Sequence, residues 1–224
     1  QTNSENEDLP PAETPLHQLP GDLSDDMPLL VSTVHPRDTI LPYSNYVEYV
    51  GPPGDDPRSA DMHSISEGIV MIVNVEGPML AKRACDIYLR GCGIKRMGPE
   101  IRITMKNALM FCIHKQRLVS ENETTDTDPL LSIIRVSGSP PIKLRTKGSR
   151  LFEEIPPSEL LVVAMHLLSH HNFQSGSDEH LRLILQCFGL KRLTTQVGTT
   201  LLEIIERRFP YVDEFLIGMA KLLA

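Results

Sequence analysis

A tetrapeptide, Gly93-Ile94-Lys95-Arg96, returns 96 positions later as Gly189-Leu190-Lys191-Arg192. At the same offset Ile87 answers Leu183, Tyr88 answers Ile184, Ile101 answers Val197, Met105 answers Leu201 and Ala108 answers Ile204. Apolar positions thus repeat at helical spacing on both sides of a glycine-bearing turn. A chain written this way is confined to helix, turn, helix, stated twice. The pattern predicts a mainly α fold with a small β wing, arranged as two tandem winged-helix or helix-turn-helix-like units.

Composition limits what such units can be. With 41% apolar residues, 5% aromatic and no tryptophan, the core must be packed by Leu, Ile, Val and Met. No apolar run approaches the roughly 20 residues of a membrane span. The polar, proline-bearing stretch 1–19 lacks the apolar centre of a signal peptide, so a cytoplasmic protein without membrane contact is expected. The chain opens on Gln1 rather than Met, as a piece of a longer protein would. Cys85, Cys92, Cys112 and Cys187 fall inside apolar helical patterns without the close pairs of a zinc site, and read as buried free thiols. His170, His171, His180 and Asp178 lack the i, i+4 geometry of a helical metal site, so neither metal nor cofactor is expected. No phosphate-binding loop, metalloprotease motif or nuclease-like spacing is present, which argues against an enzyme.

The net charge of −7 is unevenly spread. Residues 1–60 carry 11 acidic and 2 basic side chains, leaving 18 acidic and 20 basic in the rest. A weakly basic body behind an acidic leader lacks the strong electrostatic footprint of a dedicated duplex binder.

Residues 1–28 are rich in Glu, Asp, Pro, Ser and Asn and read as a disordered acidic arm. Residues 29–61 hold apolar islands between prolines, an extended segment that packs on the body; Tyr43, Tyr46 and Tyr49 are read as packing there rather than stacking on a partner. The first winged-helix-like unit spans 62–150. Ser64 and Glu67 suggest a capping box, and Ile65, Ile69, Ile72 and Val73 mark a helix that Gly77-Pro78 stops. A second helix is predicted from about Met79 to Arg90, and a third from Pro99 with Ile101, Met105, Ala108 and Cys112 inward. Strand-like runs over 116–120 and 130–135 flank a polar loop and form the wing. In 140–150, Ile142, Lys143, Leu144 and Arg145 alternate as in a half-buried strand with its charges outward. The second helix-turn-helix-like unit spans 151–224. Leu160, Val163, Ala164 and Leu167 mark its first helix, and Leu181, Ile184 and Leu185 its second. A third runs from Thr194 or Thr195 towards Pro210, and the tail makes one more short helix with no second wing.

Several short motifs resemble a known family. Glu76-Gly77-Pro78, Gly93-Ile94-Lys95-Arg96, Glu154-Ile155-Pro156-Pro157-Ser158-Glu159 and Gly189-Leu190-Lys191-Arg192 are similar, in order and spacing, to an uncharacterised domain. That domain lies at the C-terminal end of large bacterial proteins related to superfamily 1 helicases with restriction-endonuclease-like nuclease domains. The likeness covers roughly residues 62–209. It implies a DNA-processing or anti-phage defence context, with this chain as an accessory piece that binds DNA or docks a helicase or nuclease. It supplies no catalytic residues.

In a helix-turn-helix the second helix of the motif enters the major groove and presents Arg, Lys, Asn or Gln to base edges. With Ile101 inward, Arg102, Lys106 and Asn107 point outward on the third helix, and Lys95 and Arg96 sit in the turn near phosphates. Lys143, Arg145, Lys147 and Arg150 are the expected backbone contacts on the following strand. Ile103 and Met110 would be exposed apolar side chains, which suit a protein partner, whether a helicase, a nuclease or a second copy. The wing tip holds Glu121, Glu123, Asp126 and Asp128, which phosphates would repel. The matching helix of the second unit shows Gln196, Thr199, Glu203 and Glu206, so packing or partner contact is expected there. Lys191 and Arg192 are read as bonding helix-end carbonyls.

Overall fold

A computed structural model describes residues 41–223 apart from 42, 53, 122, 124, 125 and 208. The acidic arm over 1–28 and residues 29–40 of the extended segment lie outside the described residues. The described residues belong to one compact unit.

Ile65, Ile69, Ile72 and Val73 form one buried stripe along helix α1 (Met62–Glu76). Its cap is Asp61, whose carboxylate accepts the Ser64 amide N–H at 2.9 Å. This corrects the capping box expected at Ser64: that residue already lies inside the helix, and Glu67 is spent on Arg117. The chain then makes a two-residue strand, β1 (Met79–Leu80), before α2 (Ala81–Gly91), so the second helix starts later than its sequence suggests. After the turn, Pro99 occupies the first position of α3 (Pro99–His114), where its missing N–H costs nothing. Strands β2 (Leu118–Glu121) and β3 (Ile133–Val136) follow, the second preceded by a 3-10 turn over Pro129–Leu131. Both edge strands pair antiparallel with β3 in the order β1-β3-β2, with Met79 and Ser120 opposite Ile134 from either side. The three helices and this sheet enclose Ile72, Met79, Tyr88, Met105, Leu109, Leu118, Leu130 and Ile134. The Tyr88 hydroxyl donates to the Asp55 carbonyl at 2.7 Å, which pins the preceding segment to the core.

The second repeat has no strand among its described residues; its long elements are α4 (Pro157–His170), α5 (Asp178–Cys187), α6 (Thr195–Glu206) and α7 (Pro210–Leu223). Ser177 and Thr194 cap α5 and α6 through their hydroxyls. His180 ties α5 to α4: its Nδ1 accepts the Gly176 N–H at 3.2 Å, and its Nε2 lies 3.1 Å from the Ala164 carbonyl. The chain is therefore mostly α, with one small three-stranded antiparallel sheet.

The repeat is reproduced bond for bond. Gly93 N–H donates to Arg90 O at 3.0 Å and Ile94 N–H to Leu89 O at 2.8 Å. Gly189 N–H donates to Gln186 O at 2.8 Å and Leu190 N–H to Leu185 O at 2.9 Å. Both are Schellman closures, and the glycines take φ of +76° and +69° as that turn requires. The carbonyls that Lys191 and Arg192 were expected to bond are thus taken by backbone amides, and both side chains are exposed.

A buried ionic network joins the repeats. Glu159, at the start of α4, is 1% exposed and accepts from Arg145 and Arg150, which are 1% and 0% exposed. Arg145 also donates to the carbonyls of Glu76, Gly77 (3.2 Å) and Pro78 (2.6 Å), closing the end of α1. Arg83 on α2 reaches Glu76 at 3.1 Å and Glu154 at 2.8 Å. Tyr46 packs among these guanidinium groups, its ring centroid 4.6 Å from Arg150, 5.4 Å from Arg145 and 5.6 Å from Arg83. The Tyr46 hydroxyl bonds Glu76, so the aromatic segment packs on the body. Three arginines face three glutamates, so the burial of charge is balanced.

Candidate functional site

The helix expected to present polar side chains does so. On α3, Arg102, Ile103, Asn107 and Met110 are exposed and Lys106 is half-buried; Ile103 and Met110 are 61% and 50% exposed. Lys95 and Arg96 are exposed in the turn before the helix. Arg102 and Lys106, one turn apart, both meet Asp128, with the lysine ammonium 3.1 Å from its Oδ1. The Leu130 N–H bonded to that carboxylate, helped by Lys106 and Arg102, holds the Asp128 pKa down to about 2. Asp128 is therefore an anion at neutral pH, and it occupies Arg102 and Lys106, cations that a phosphate would use.

The basic run that follows the sheet is corrected by the structure. Of Lys143, Arg145, Lys147 and Arg150, only Lys143 is exposed. Arg145 and Arg150 are spent on Glu159 and on carbonyls. The Lys147 ammonium donates to Gly148 O at 3.1 Å and Arg150 O at 2.7 Å. The apolar–basic alternation of 142–145 predicts outward charges, and Ile142 and Leu144 do face inward. Arg145 turns inward as well, because the carbonyls at the end of α1 and the Glu159 carboxylate offer it more bonds than water-facing backbone could. An Arg145→Ala change therefore reports on folding rather than on phosphate contact.

The acids of the loop between β2 and β3 are not a free tip either. Glu121 accepts from Arg135 at 2.8 Å. Glu123 is fully buried: it accepts the Ser158 N–H and the Tyr211 hydroxyl, each at 2.8 Å, and so caps α4 from outside that helix and touches α7. Burial pushes its carboxyl above the ordinary value. The same loop docks on the second repeat and sends Asp128 to α3.

A cleft of about 380 Å³ opens between α2 and α3. Lys82, Arg90, Lys95, Arg96 and Arg102 line it against one carboxylate, Asp86, over a floor of Leu89, Ile94 and Met97. Lys82 and Arg90 were missed in the sequence, although Lys82, Asp86 and Arg90 fall at i, i+4 and i+8 of a helix and so share a face. In the second repeat Gln196, Thr199, Glu203 and Glu206 are exposed on α6, as read from the sequence. Cys85 and Cys112 are buried and Cys92 and Cys187 half-buried, and none of the four is in a disulfide. Among the described residues no group of three His, Cys, Asp or Glu is placed to hold a metal ion, and no helix is long and apolar enough to cross a membrane. No protein-family model, curated protein or solved structure matches the chain.

Proposed function

We propose that residues 62–150 form a winged helix, residues 151–224 a second helix-turn-helix-like unit, and that the first holds double-stranded DNA against α3. One arrangement carries this reading. Arg102, Lys106 and Asn107 lie on the outward side of α3, directly after the exposed Lys95-Arg96 turn, and α3 is the second helix of the turn motif. The order α1-β1-α2-α3-β2-β3 supports the winged form. The loop between β2 and β3 departs from a free wing, since Glu123 is held by the second repeat. In this reading the chain is a non-catalytic, cytoplasmic accessory module of a bacterial DNA-processing or defence system, as the helicase- and nuclease-associated likeness implies.

The second reading rests on Ile103 and Met110, two large exposed apolar side chains on that same helix. They favour a protein partner, either a helicase or nuclease or a second copy. Fluorescence anisotropy of a labelled duplex separates the two. For DNA binding, Lys106→Ala or Asn107→Ala should cost about 1–3 kcal/mol at a preferred site and less elsewhere. If no duplex binds at low salt, while Ile103→Asp or Met110→Asp dissolves a co-purifying complex, the partner reading replaces the first.

A further inference from the structure

We infer that the cleft between α2 and α3 is a binding site for a phosphoanion, held chiefly by Arg90, Lys95 and Arg96. Arg58, Arg83, Arg117, Arg135, Arg145 and Arg150 each bond a carboxylate. At the edge of the cleft Arg102 is paired with Asp128. Asp86 is taken by Lys82 at 2.6 Å, and Arg90, Lys95 and Arg96 have no ion pair among the described residues. Three like charges around one concavity repel one another, and an anion between them removes the repulsion.

The shape suits such a ligand. Arg90 comes from the last turn of α2 and Lys95 and Arg96 from the turn, so these donors converge from two elements, while Arg102 at the rim is held by Asp128. Planar guanidinium groups pair two donors with two phosphate oxygens at a time. The apolar floor of Leu89, Ile94 and Met97 limits screening and concentrates the field in the cleft. Met97 places the rim beside the N-terminus of the 16-residue α3, whose cap, Gly98, supplies no side-chain acceptor for the first-turn amides. At the matching positions of the second repeat stand Asp178, Gln186 and Gly198 in place of Lys82, Arg90 and Arg102. Lys191 and Arg192 stand there without that ring of cations, on a turn of the same geometry.

Phosphate chemistry has two sources, the backbone or end of a nucleic acid and a free polyphosphate. Base reading by α3 is required for neither. Inorganic pyrophosphate is titrated into the full chain by calorimetry, and a labelled duplex is bound in parallel. Arg90→Gln with Arg96→Gln should weaken pyrophosphate binding by about tenfold or more, since bidentate charged bonds are lost. Lys191→Gln with Arg192→Gln should leave it unchanged. A nucleic-acid source predicts that the cleft variant also weakens all duplexes alike and lowers the salt slope by roughly one per cation removed. Unchanged duplex affinity with lost pyrophosphate assigns the free anion. The site is refuted if pyrophosphate does not bind the wild type, if the cleft variant binds it normally, or if the second-repeat variant loses as much. Loss in the cleft variant with no effect of Lys106→Ala on duplexes would leave the cleft standing and remove α3 as a reader.

Discussion

Removing Glu159 should unfasten the two repeats. Its carboxylate is 1% exposed, with Oε1 bonded to both Arg145 and Arg150 and Oε2 to Arg150 at 3.2 Å. In Glu159→Ala two guanidinium groups stay buried without a counter-charge, which costs about 3–5 kcal/mol when one partner of a buried pair is deleted. Both arginines keep carbonyl acceptors: Arg145 those of Gly77, Pro78 and Lys143, and Arg150 those of Thr146 and Lys147. The loss should therefore fall near the lower end. Urea unfolding followed by circular dichroism measures it as a drop in midpoint at nearly constant slope. Replacing all three residues by apolar ones removes three desolvated charges together but leaves the carbonyls of Gly77, Pro78 and Thr146 without these donors, so it should recover only part of the stability. A loss below about 1 kcal/mol in Glu159→Ala would refute the network as the joint between the repeats.

Other changes test neighbouring parts. Asp128→Asn keeps an oxygen for the Leu130 N–H but removes the charge on Arg102 and Lys106. It should strengthen duplex binding and steepen the salt slope by roughly one, an effect that vanishes in an Arg102→Ala, Lys106→Ala background. Glu123 holds its proton to higher pH in the folded chain because it is buried. Its contribution is complete below the ordinary value of 4.5 and is lost as pH rises through the raised one, so Glu123→Gln should gain in melting temperature over wild type as pH rises from that value towards neutrality and match it in acid. An unchanging difference across that range would contradict the burial account. Gly93→Ala and Gly189→Ala should each cost about 1–2 kcal/mol in thermal melts, a backbone cost, since beyond the adjoining residues no atom lies within 4 Å of the added carbon. A free substitution at either position would break the equivalence of the turns.

The helices and the twin turn could be read from the sequence because their causes are local. An apolar stripe of period 3.6 fixes α1, α3 and α4, Pro99 fixes the start of α3, and a glycine followed by an apolar residue fixes each Schellman closure. Strand β1 could not be read, since two residues carry no alternation and their pairing depends on Ile133 and Ile134 more than fifty positions away. Partners outside the run explain the error at Arg145 and Arg150: Glu159 lies 14 and 9 residues on, and the end of α1 that Arg145 also bonds lies 67 to 69 residues back. Nothing within 140–150 announces that Glu159 and the end of α1 will claim them. Glu123 was read as an exposed acid because its partners, Ser158 and Tyr211, come 35 and 88 residues later. Within the candidate site, the α3 face followed from periodicity, whereas the Lys82 and Arg90 wall required α2 to be seen against the turn.

The most direct test is the salt dependence of duplex affinity for the full chain, measured by fluorescence anisotropy in wild type and in a Lys95→Gln, Arg96→Gln, Lys106→Gln variant. If α3 and its turn hold DNA, log affinity of the wild type should fall linearly with log salt with a slope of about −3 to −4, roughly one unit for each phosphate neutralised. The variant should flatten that slope by about three units, roughly one per cation removed. Duplex binding with the same slope in both proteins, or none at low salt in the wild type, would contradict the assignment.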